Sequence, residues 1–184
     1  MVYVALLRGI NVGGNNKIEM KKLKITFERL GCSNVITYIN SGNIIFEDHH
    51  RSHSTLTREI EAGIKEDFGL TIKVLLRDFD NIRNVCTHLP EDWVKNEIMR
   101  TDVMFLWDDI DNPGIVDELR IKPVDQVKYV SGAVLWNIPG KDYTRSAMSN
   151  LAGTRIYKAM TIRNVNTVRK ICELMIEVNS AVQE

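Results

Sequence analysis

The hydrophobic pattern of residues 1–76 switches between strand-like and helix-like segments. Residues 2–7 form a nearly all-apolar run, which is typical of a strand covered on both faces. Residues 35–39 and 44–46 predict two strands joined by "NSGN" at 40–43, whose Ser-Gly pair between asparagines suits a tight hairpin turn. The run "TIKVLL" at 71–76 predicts a fourth strand.

Two amphipathic helices separate these strands. Apolar residues recur at helical spacing from Met20 to Leu30, and Gly31 is the expected stop signal. A second helix is expected to begin at Ser54, as its N-cap, and to end at Gly69. The resulting order of strand, helix, strand, strand, helix, strand is that of a ferredoxin-like unit.

After a further helix capped by Asp78 and ended by Pro90, the pattern starts again. "DVMFLW" at 102–107 predicts a strand, "NPGIVDEL" a helix, and "QVKYV" and "AVLWNI" two strands joined at Ser131-Gly132. The stretch "KYVSGAVLW" parallels "TYINSGNIIF": each has a tyrosine-bearing strand, a Ser-Gly turn and an apolar strand. This indicates a degenerate repeat, and the chain from Tyr143 onward is expected to be helical, with its clearest helix starting near Asn164.

The sequence therefore predicts an α+β protein with two ferredoxin-like-type subdomains, each a strand-helix-strand-strand unit, followed by C-terminal helices. The expected divisions are a first subdomain at 1–77, a connecting helix and linker at 78–100, and a second subdomain with the C-terminal helices at 101–184.

Composition and charge narrow the classes of function. Apolar residues make up 44% of the chain and charged residues 26%, with a net charge of zero, which is the profile of an ordinary globular protein and not of a dedicated nucleic-acid coat. No stretch approaches the ~18 apolar residues of a membrane span, and the N-terminus lacks a signal pattern. The cysteines Cys32, Cys86 and Cys172 lack zinc spacing, so we expect reduced thiols in a cytoplasmic protein.

Basic residues concentrate in two places. Residues 143–172 contain six Lys or Arg and no Asp or Glu, while residues 8–24 contain Glu19 as their one acid. If these segments meet in space, they form a surface that attracts anions. The alternative is that they are ordinary solvated helix faces.

The opening loop in "ALLRGINVGGNNKIEM" resembles a phosphate loop but matches neither standard motif. Gly9 and Gly14 have the P-loop glycine spacing, yet Lys17 comes two positions late and no hydroxyl follows it. What remains is glycine backbone able to turn its N–H groups toward an anion, with a helix N-terminus behind it and Arg8 as a fork-shaped donor. The alternative is that Gly13 and Gly14 only permit a turn.

The "NSGN" turn is expected beside this loop. In a ferredoxin-like sheet the first and third strands are antiparallel neighbours, so the end of one lies near the start of the other. Arg8, Asn11, Ser41 and Asn43 are therefore expected at one edge of the sheet, although Ser41 and Asn43 also suit ordinary hairpin chemistry.

No catalytic residue can be assigned. His49, His50 and His53 lie in a polar loop without an obvious fourth ligand, so no metal site is predicted. Ser41 is not part of a G-x-S-x-G motif, which argues against a serine hydrolase.

Three motifs together, "ALLRGINVGG", "TYINSGNIIF" and "RNVNTV" at 163–168, resemble the bacterial family catalogued as domain of unknown function 1697. The resemblance covers essentially the whole chain and implies two ferredoxin-like-type subdomains, but no activity or cofactor. Members often have glutamine at the position of Asn40 and tryptophan at that of Val165, which weakens an aromatic-stacking role there. The residues that match the family's motifs form the candidate ligand site: Arg8, Asn11, Gly13, Gly14, Lys17, Ser41, Gly42, Asn43, Arg163 and Asn164.

The leading hypothesis is a cytosolic protein that binds a small anionic ligand, such as a nucleotide or another phosphate compound, at the loop after the first strand. One alternative is an assembly protein that pairs an exposed sheet edge between subunits, as in a homo-oligomer. Another is an RNA-binding module, which the absence of RNP-type aromatics in the central strands and the zero net charge do not favour. The sequence names neither a ligand nor a reaction.

Overall fold

The structure is a computed structural model that describes residues 1–181. Its order of elements gives two four-stranded antiparallel sheets, and the predicted α+β class with two ferredoxin-like units is confirmed. The chain divides into two compact units: residues 1–79 with helix α6 from Ile171 onward, and residues 80–170.

The first unit contains a complete ferredoxin-like order of elements. Its sheet has the order β2-β3-β1-β4, in which all neighbours are antiparallel. The bounds are β1 (Val2–Leu7), α1 (Met20–Arg29), β2 (Ser33–Tyr38), β3 (Asn43–Glu47), α2 (His53–Phe68) and β4 (Val74–Asp78).

The core of the first unit lies between this sheet and helices α1 and α2. Leu23 and Phe27 of α1 and Ile60 of α2 are fully buried in the same cluster as Ala5 and Phe46 of the sheet. Every residue of β1 is buried, as the all-apolar run predicted. This packing fixes the direction in which β1 enters the loop that precedes α1.

Arg51 ties the exit of β3 to both helices. Its guanidinium pairs with Asp48 at 2.5 Å and with Glu59 of α2 at 2.9 Å, and it donates to the carbonyl of Leu30 after α1 at 2.8 Å. The Asp48 side chain is 3% exposed, so Arg51 compensates a carboxylate that water barely reaches.

The second unit repeats the same plan with sheet order β6-β7-β5-β8. Its elements start with α3, and two 3₁₀ helices, Gly140–Arg145 and Ala147–Asn150, replace the long second helix. The bounds are α3 (Phe79–His88), β5 (Met99–Leu106), α4 (Ile115–Glu118), β6 (Gln126–Val130), β7 (Ala133–Pro139), α5 (Arg155–Lys158) and β8 (Met160–Asn164). Helix α6 (Val165–Ala181) begins in this unit, and its residues from Ile171 onward belong to the first.

Matching backbone hydrogen bonds show that the repeat extends to the turns. The Leu7 N–H donates to the Gly42 carbonyl at 2.9 Å, and the Leu106 N–H donates to the Gly132 carbonyl at 3.0 Å. Both glycines have positive φ, 79° and 87°. The similarity of "TYINSGNIIF" and "KYVSGAVLW" therefore reflects one hairpin geometry used twice.

Two sequence predictions are wrong in detail. The N-cap of α2 is Ser52, whose side chain accepts from the Thr55 N–H, and not Ser54. Asp78 ends β4 and directly precedes α3, so its role as the cap of that helix stays a prediction. The segment after Tyr143 is not all helical, because Met160–Asn164 forms strand β8 beside β5.

Candidate functional site

The loop between β1 and α1 is organised around the side chain of Asn11. Its Nδ2 donates to the carbonyls of Ile18 at 2.9 Å and Asn40 at 2.8 Å, while its Oδ1 accepts from the Ile18 N–H at 2.8 Å. Asn11 has a φ of 54°, a left-handed conformation that asparagine tolerates better than most residues. Asn11 therefore closes the loop and also fastens it to the turn between β2 and β3.

A tight turn forms the tip of this loop. The Asn15 N–H donates to the Val12 carbonyl at 3.0 Å, and Gly13 and Gly14 between them have φ values of 58° and 80°. Two successive positive φ values define a type I′ turn, which glycine adopts without steric cost. Both glycines are exposed, so their backbone is open to solvent or to a ligand.

The "NSGN" turn lies directly beside the end of β1, as the sheet topology predicted. A Cβ built on Gly42 would lie 2.8 Å from Ile10 Cδ1 and from Leu7 Cβ, so no larger residue fits without displacement. Asn43 is fully buried and its Nδ2 donates to the Tyr38 carbonyl at 3.0 Å and to Ser41 Oγ at 3.1 Å. In this structure Gly42 and Asn43 shape the turn from inside.

The loop, the turn and helix α1 line an open cleft of about 680 Å³, hereafter the loop cleft. Its lining residues come from the loop, the first turn of α1, the β2–β3 turn and the last residue of α2: Asn11, Gly14, Lys17, Ile18, Glu19, Met20, Lys22, Asn40 and Phe68.

The lining of the loop cleft is cationic. Lys17 and Lys22 face one carboxylate, Glu19, whose Oε2 lies 3.5 Å from Lys22 Nζ in an exposed pair. Glu19 is also the N-cap of α1, and within residues 1–181 its side chain makes no capping hydrogen bond to that helix. The partial positive charge of the helix N-terminus therefore adds to the two ammonium groups.

Three of the sequence-predicted residues, Asn11, Gly14 and Lys17, line this cleft. The others of the first unit lie next to it along the chain without forming its lining: Arg8, Gly13, Ser41, Gly42 and Asn43. The other six lining residues were missed, among them Lys22 and Phe68. Lys22 reads as one more solvated lysine in the sequence, and only its place in the first turn of α1 signals that it belongs to the loop.

Arg163 and Asn164 belong to β8 of the second unit. The Arg163 side chain is buried and donates to Thr161 Oγ1 at 3.0 Å and to the Ile162 carbonyl at 2.9 Å. Burial lowers the pKa of its guanidinium to about 10. Asn164 Oδ1 accepts from the Thr167 N–H at 3.0 Å, which caps the start of α6.

Arg163 has a counterpart in the first unit. Arg77 of β4 is also buried and donates to the carbonyl of its preceding residue, Leu76, at 3.0 Å. The two arginines occupy equivalent registers, since Arg77 pairs with Val4 of the first strand and Arg163 with Val103. A buried arginine is thus found at the same position in the last strand of each sheet, β4 and β8.

The histidines at 49 and 53 have separate hydrogen-bond partners and do not meet at one site. Nε2 of His49 lies 3.2 Å from the Glu47 carboxylate, while Nε2 of His53 lies 3.3 Å from the Leu76 carbonyl. Across residues 1–181, no three His, Cys, Asp or Glu side chains are placed to share a metal ion. The cysteines are free thiols, two of them buried. Of the helices in the described chain, none has the length and apolar character needed to cross a membrane.

Comparison with known proteins bears on the fold and the family of this chain. Among curated proteins, none matches the chain. A solved structure, that of a conserved bacterial protein from Streptococcus pneumoniae, has a TM-score of 0.81 at 26% sequence identity, over 95% of this chain and 98% of that one. The resemblance drawn from the loop and turn motifs is confirmed as well. Residues 1–136 match the family described as protein of unknown function (DUF1697), and the chain belongs to that family.

Proposed function

We propose that this protein binds a small phosphate-bearing anion, such as a nucleotide or a sugar phosphate, in the loop cleft. The observation that carries the proposal is the convergence of Lys17, Lys22 and the N-terminus of α1 on a cleft of about 680 Å³ that has one carboxylate in its lining. Ligand pockets typically measure ~300–1,000 Å³, so the cleft is large enough for a nucleotide-sized molecule.

Each group has a distinct role in this proposal. Lys17 and Lys22 pair with phosphate oxygens as mobile point charges, and the exposed pair of Lys22 with Glu19 costs little to exchange for the ligand. The Gly14 backbone allows close approach, because no side chain stands between it and the cleft. Phe68 and Met20 supply an apolar wall for the part of the ligand that carries no charge.

Asn11 positions this site and offers the ligand little. Both hydrogens of its Nδ2 are already donated to backbone carbonyls, and Oδ1 accepts one hydrogen bond. An amide that is so fully engaged holds the loop against the turn with the cleft open, which reduces the ordering cost on binding. Arg8 directly follows β1 and does not line the cleft, so its role in binding stays a sequence prediction.

One observation disfavours RNA binding on the first sheet, and another disfavours strand pairing through its edge β4. The central strands β1 and β3 are buried along their whole length, which does not support an RNA platform on the sheet. The backbone of edge strand β4 is engaged by side chains: the Val74 N–H donates to the Glu61 carboxylate, and the Leu76 carbonyl lies within hydrogen-bond distance of His53 Nε2. Edges blocked in this way are poor templates for strand pairing.

Calorimetric titration of the full chain with inorganic pyrophosphate, and then with nucleotides and sugar phosphates, tests the proposal. The informative variant is Lys17→Glu and its matched control is Lys21→Glu, because both lysines are exposed but Lys21 does not line the cleft. We expect Lys17→Glu to weaken binding by about tenfold or more and Lys21→Glu to change it far less. Absence of binding across the panel, or equal effects of the two variants, would refute the proposal.

A further inference from the structure

A second cleft, of about 580 Å³, lies wholly within the second unit and is unrelated to the loop cleft. It is lined on one side by the end of α4 and the residues that follow it, 118–122, and on the other by residues 147–156. We call it the helix cleft. Its size falls in the range of small-molecule pockets.

Cations dominate the rim of the helix cleft. Arg120, Lys122 and Arg155 are exposed there and face a single carboxylate in the lining, that of Glu118. Arg155 Nη2 lies 3.3 Å from Glu118 Oε2, in a pair whose side chains are 79% and 49% exposed. Exposed pairs of this kind contribute little to stability, so Arg155 is available to an incoming anion at small cost.

The floor of the helix cleft is apolar. Leu119, Ala147 and Leu151 belong to the core of the second unit and present their remaining exposed atoms to the cleft, and Ile156 lies beside them. A cationic rim above an apolar floor suits a molecule with both characters. A simple inorganic anion would use the rim and leave the floor wet.

The cleft is held in shape by Asp125. Its carboxylate accepts from the Lys122 N–H at 2.7 Å on one wall and from the Ala147 N–H at 3.1 Å on the other. It also accepts from Trp136 Nε1 and Ser146 Oγ. Arg120 adds a second sign of constraint, since its φ of 51° is a conformation that non-glycine residues rarely adopt.

We propose that the helix cleft binds a small amphipathic anion: a molecule with an apolar, ring-sized body and one carboxylate, sulfonate or phosphate group. The apolar body lies on Leu119 and Leu151, and the anionic group lies between Arg120 and Lys122. Arg155 leaves Glu118 to join it, which exchanges one exposed ion pair for another.

Fluorescence titration with anilinonaphthalene sulfonate tests this, because that dye joins an aromatic body to one anionic group. The informative protein is the double variant Arg120→Glu with Lys122→Glu. The matched control is Lys95→Glu with Lys141→Glu, which makes the same charge change at exposed positions of the same unit away from the cleft. We expect saturable dye binding by the natural chain, weakened at least tenfold in the rim variant and nearly unchanged in the control.

Methyl NMR spectra locate the dye and separate this site from the loop cleft. The expected result is that the methyl signals of Leu119, Leu151 and Ile156 shift on titration, also in the Lys17→Glu protein. Shifts centred on Ile18 and Met20, or loss of dye binding in Lys17→Glu, would assign the dye to the loop cleft and overturn the inference. No saturable binding, or equal loss in the rim and control variants, would overturn it as well.

Discussion

Replacing Asn11 with aspartate tests whether this residue holds the site together. Aspartate keeps the size of the side chain, the acceptor for the Ile18 N–H and the tolerance of a positive φ. It removes the two donors to the Ile18 and Asn40 carbonyls, and turns a carboxylate oxygen toward them. Each lost hydrogen bond is worth about 1 kcal/mol, and the unpaired carbonyls add to the loss, so we expect the free energy of unfolding to fall by about 2–4 kcal/mol.

Urea unfolding at neutral pH, without any added ligand, measures this change separately from any effect of the new charge on ligand binding. Asn15→Asp is the matched control because Asn15 is exposed in the same loop and gains the same charge. The deficit of Asn11→Asp relative to the natural chain is also expected to shrink as the pH falls. A carboxylate facing carbonyls has a raised pKa in the folded state, so the charge penalty shrinks as the pH falls through that raised pKa and is absent below the unfolded pKa of about 3.9. If Asn11→Asp and Asn15→Asp lose equal stability, the bridge between loop and turn has no energetic role.

Three further predictions concern the frame around the clefts. Gly42→Ala is expected to lower the free energy of unfolding by about 3 kcal/mol or more, because of its positive φ and because the new Cβ would lie 2.8 Å from side-chain atoms of Leu7 and Ile10. Gly13→Ala is expected to lower it by only about 1 kcal/mol, because only its φ is unfavourable. Equal melting temperatures of the two variants would contradict this. Arg51→Ala is expected to lower the free energy of urea unfolding by about 3–5 kcal/mol, because it leaves the buried Asp48 carboxylate without its cation. Full stability of Arg51→Lys would contradict a role for the several hydrogen bonds of the guanidinium. Burial tends to raise the pKa of Asp125, but hydrogen bonds outweigh it and the pKa lies below its ordinary value. Stability from Asp125 is therefore present above the unfolded pKa of about 3.9 and lost on acidification below it, so Asp125→Asn should flatten the acid limb of the melting-temperature profile.

Much of the fold follows from local patterns in the sequence. The run of residues 2–7, the glycine stops and the Ser-Gly turns act through backbone conformation and burial, which sequence spacing reports directly. Strand β8 escaped prediction because its interior includes Arg163, a charge that normally marks an exposed position. The short helix α5 directly before β8 has a helical pattern, which suggests that the helix continues. The pairing with β5 that makes β8 a strand joins residues far apart in the chain, so local sequence patterns do not report it.

The candidate site was predictable only to the level of neighbouring segments. Sheet topology brings the loop beside the turn, and residue types suggest which side chains bind an anion. Which of them face the cleft depends on side-chain direction. Asn43 is buried, and its side chain donates hydrogen bonds within its own turn. Lys22 lines the cleft, although in the sequence its helix face looks solvated.

The second unit shows independently why Asn11 is better understood as a positioning residue. In that unit the loop after the first strand is also fastened to the hairpin turn by one polar side chain, Asp111, whose Oδ1 accepts from the Gly132 N–H at 3.0 Å and from the Tyr129 hydroxyl at 2.8 Å. The same mechanical task is thus performed by a donor in one unit and by an acceptor in the other. A role in ligand contact would not explain why both units join the loop to the turn in this way, whereas a role in holding the loop in place does. The chemistry differs as a consequence: Asp111 places a carboxylate where the first unit has a neutral amide, which makes the second unit's loop less suited to an anion.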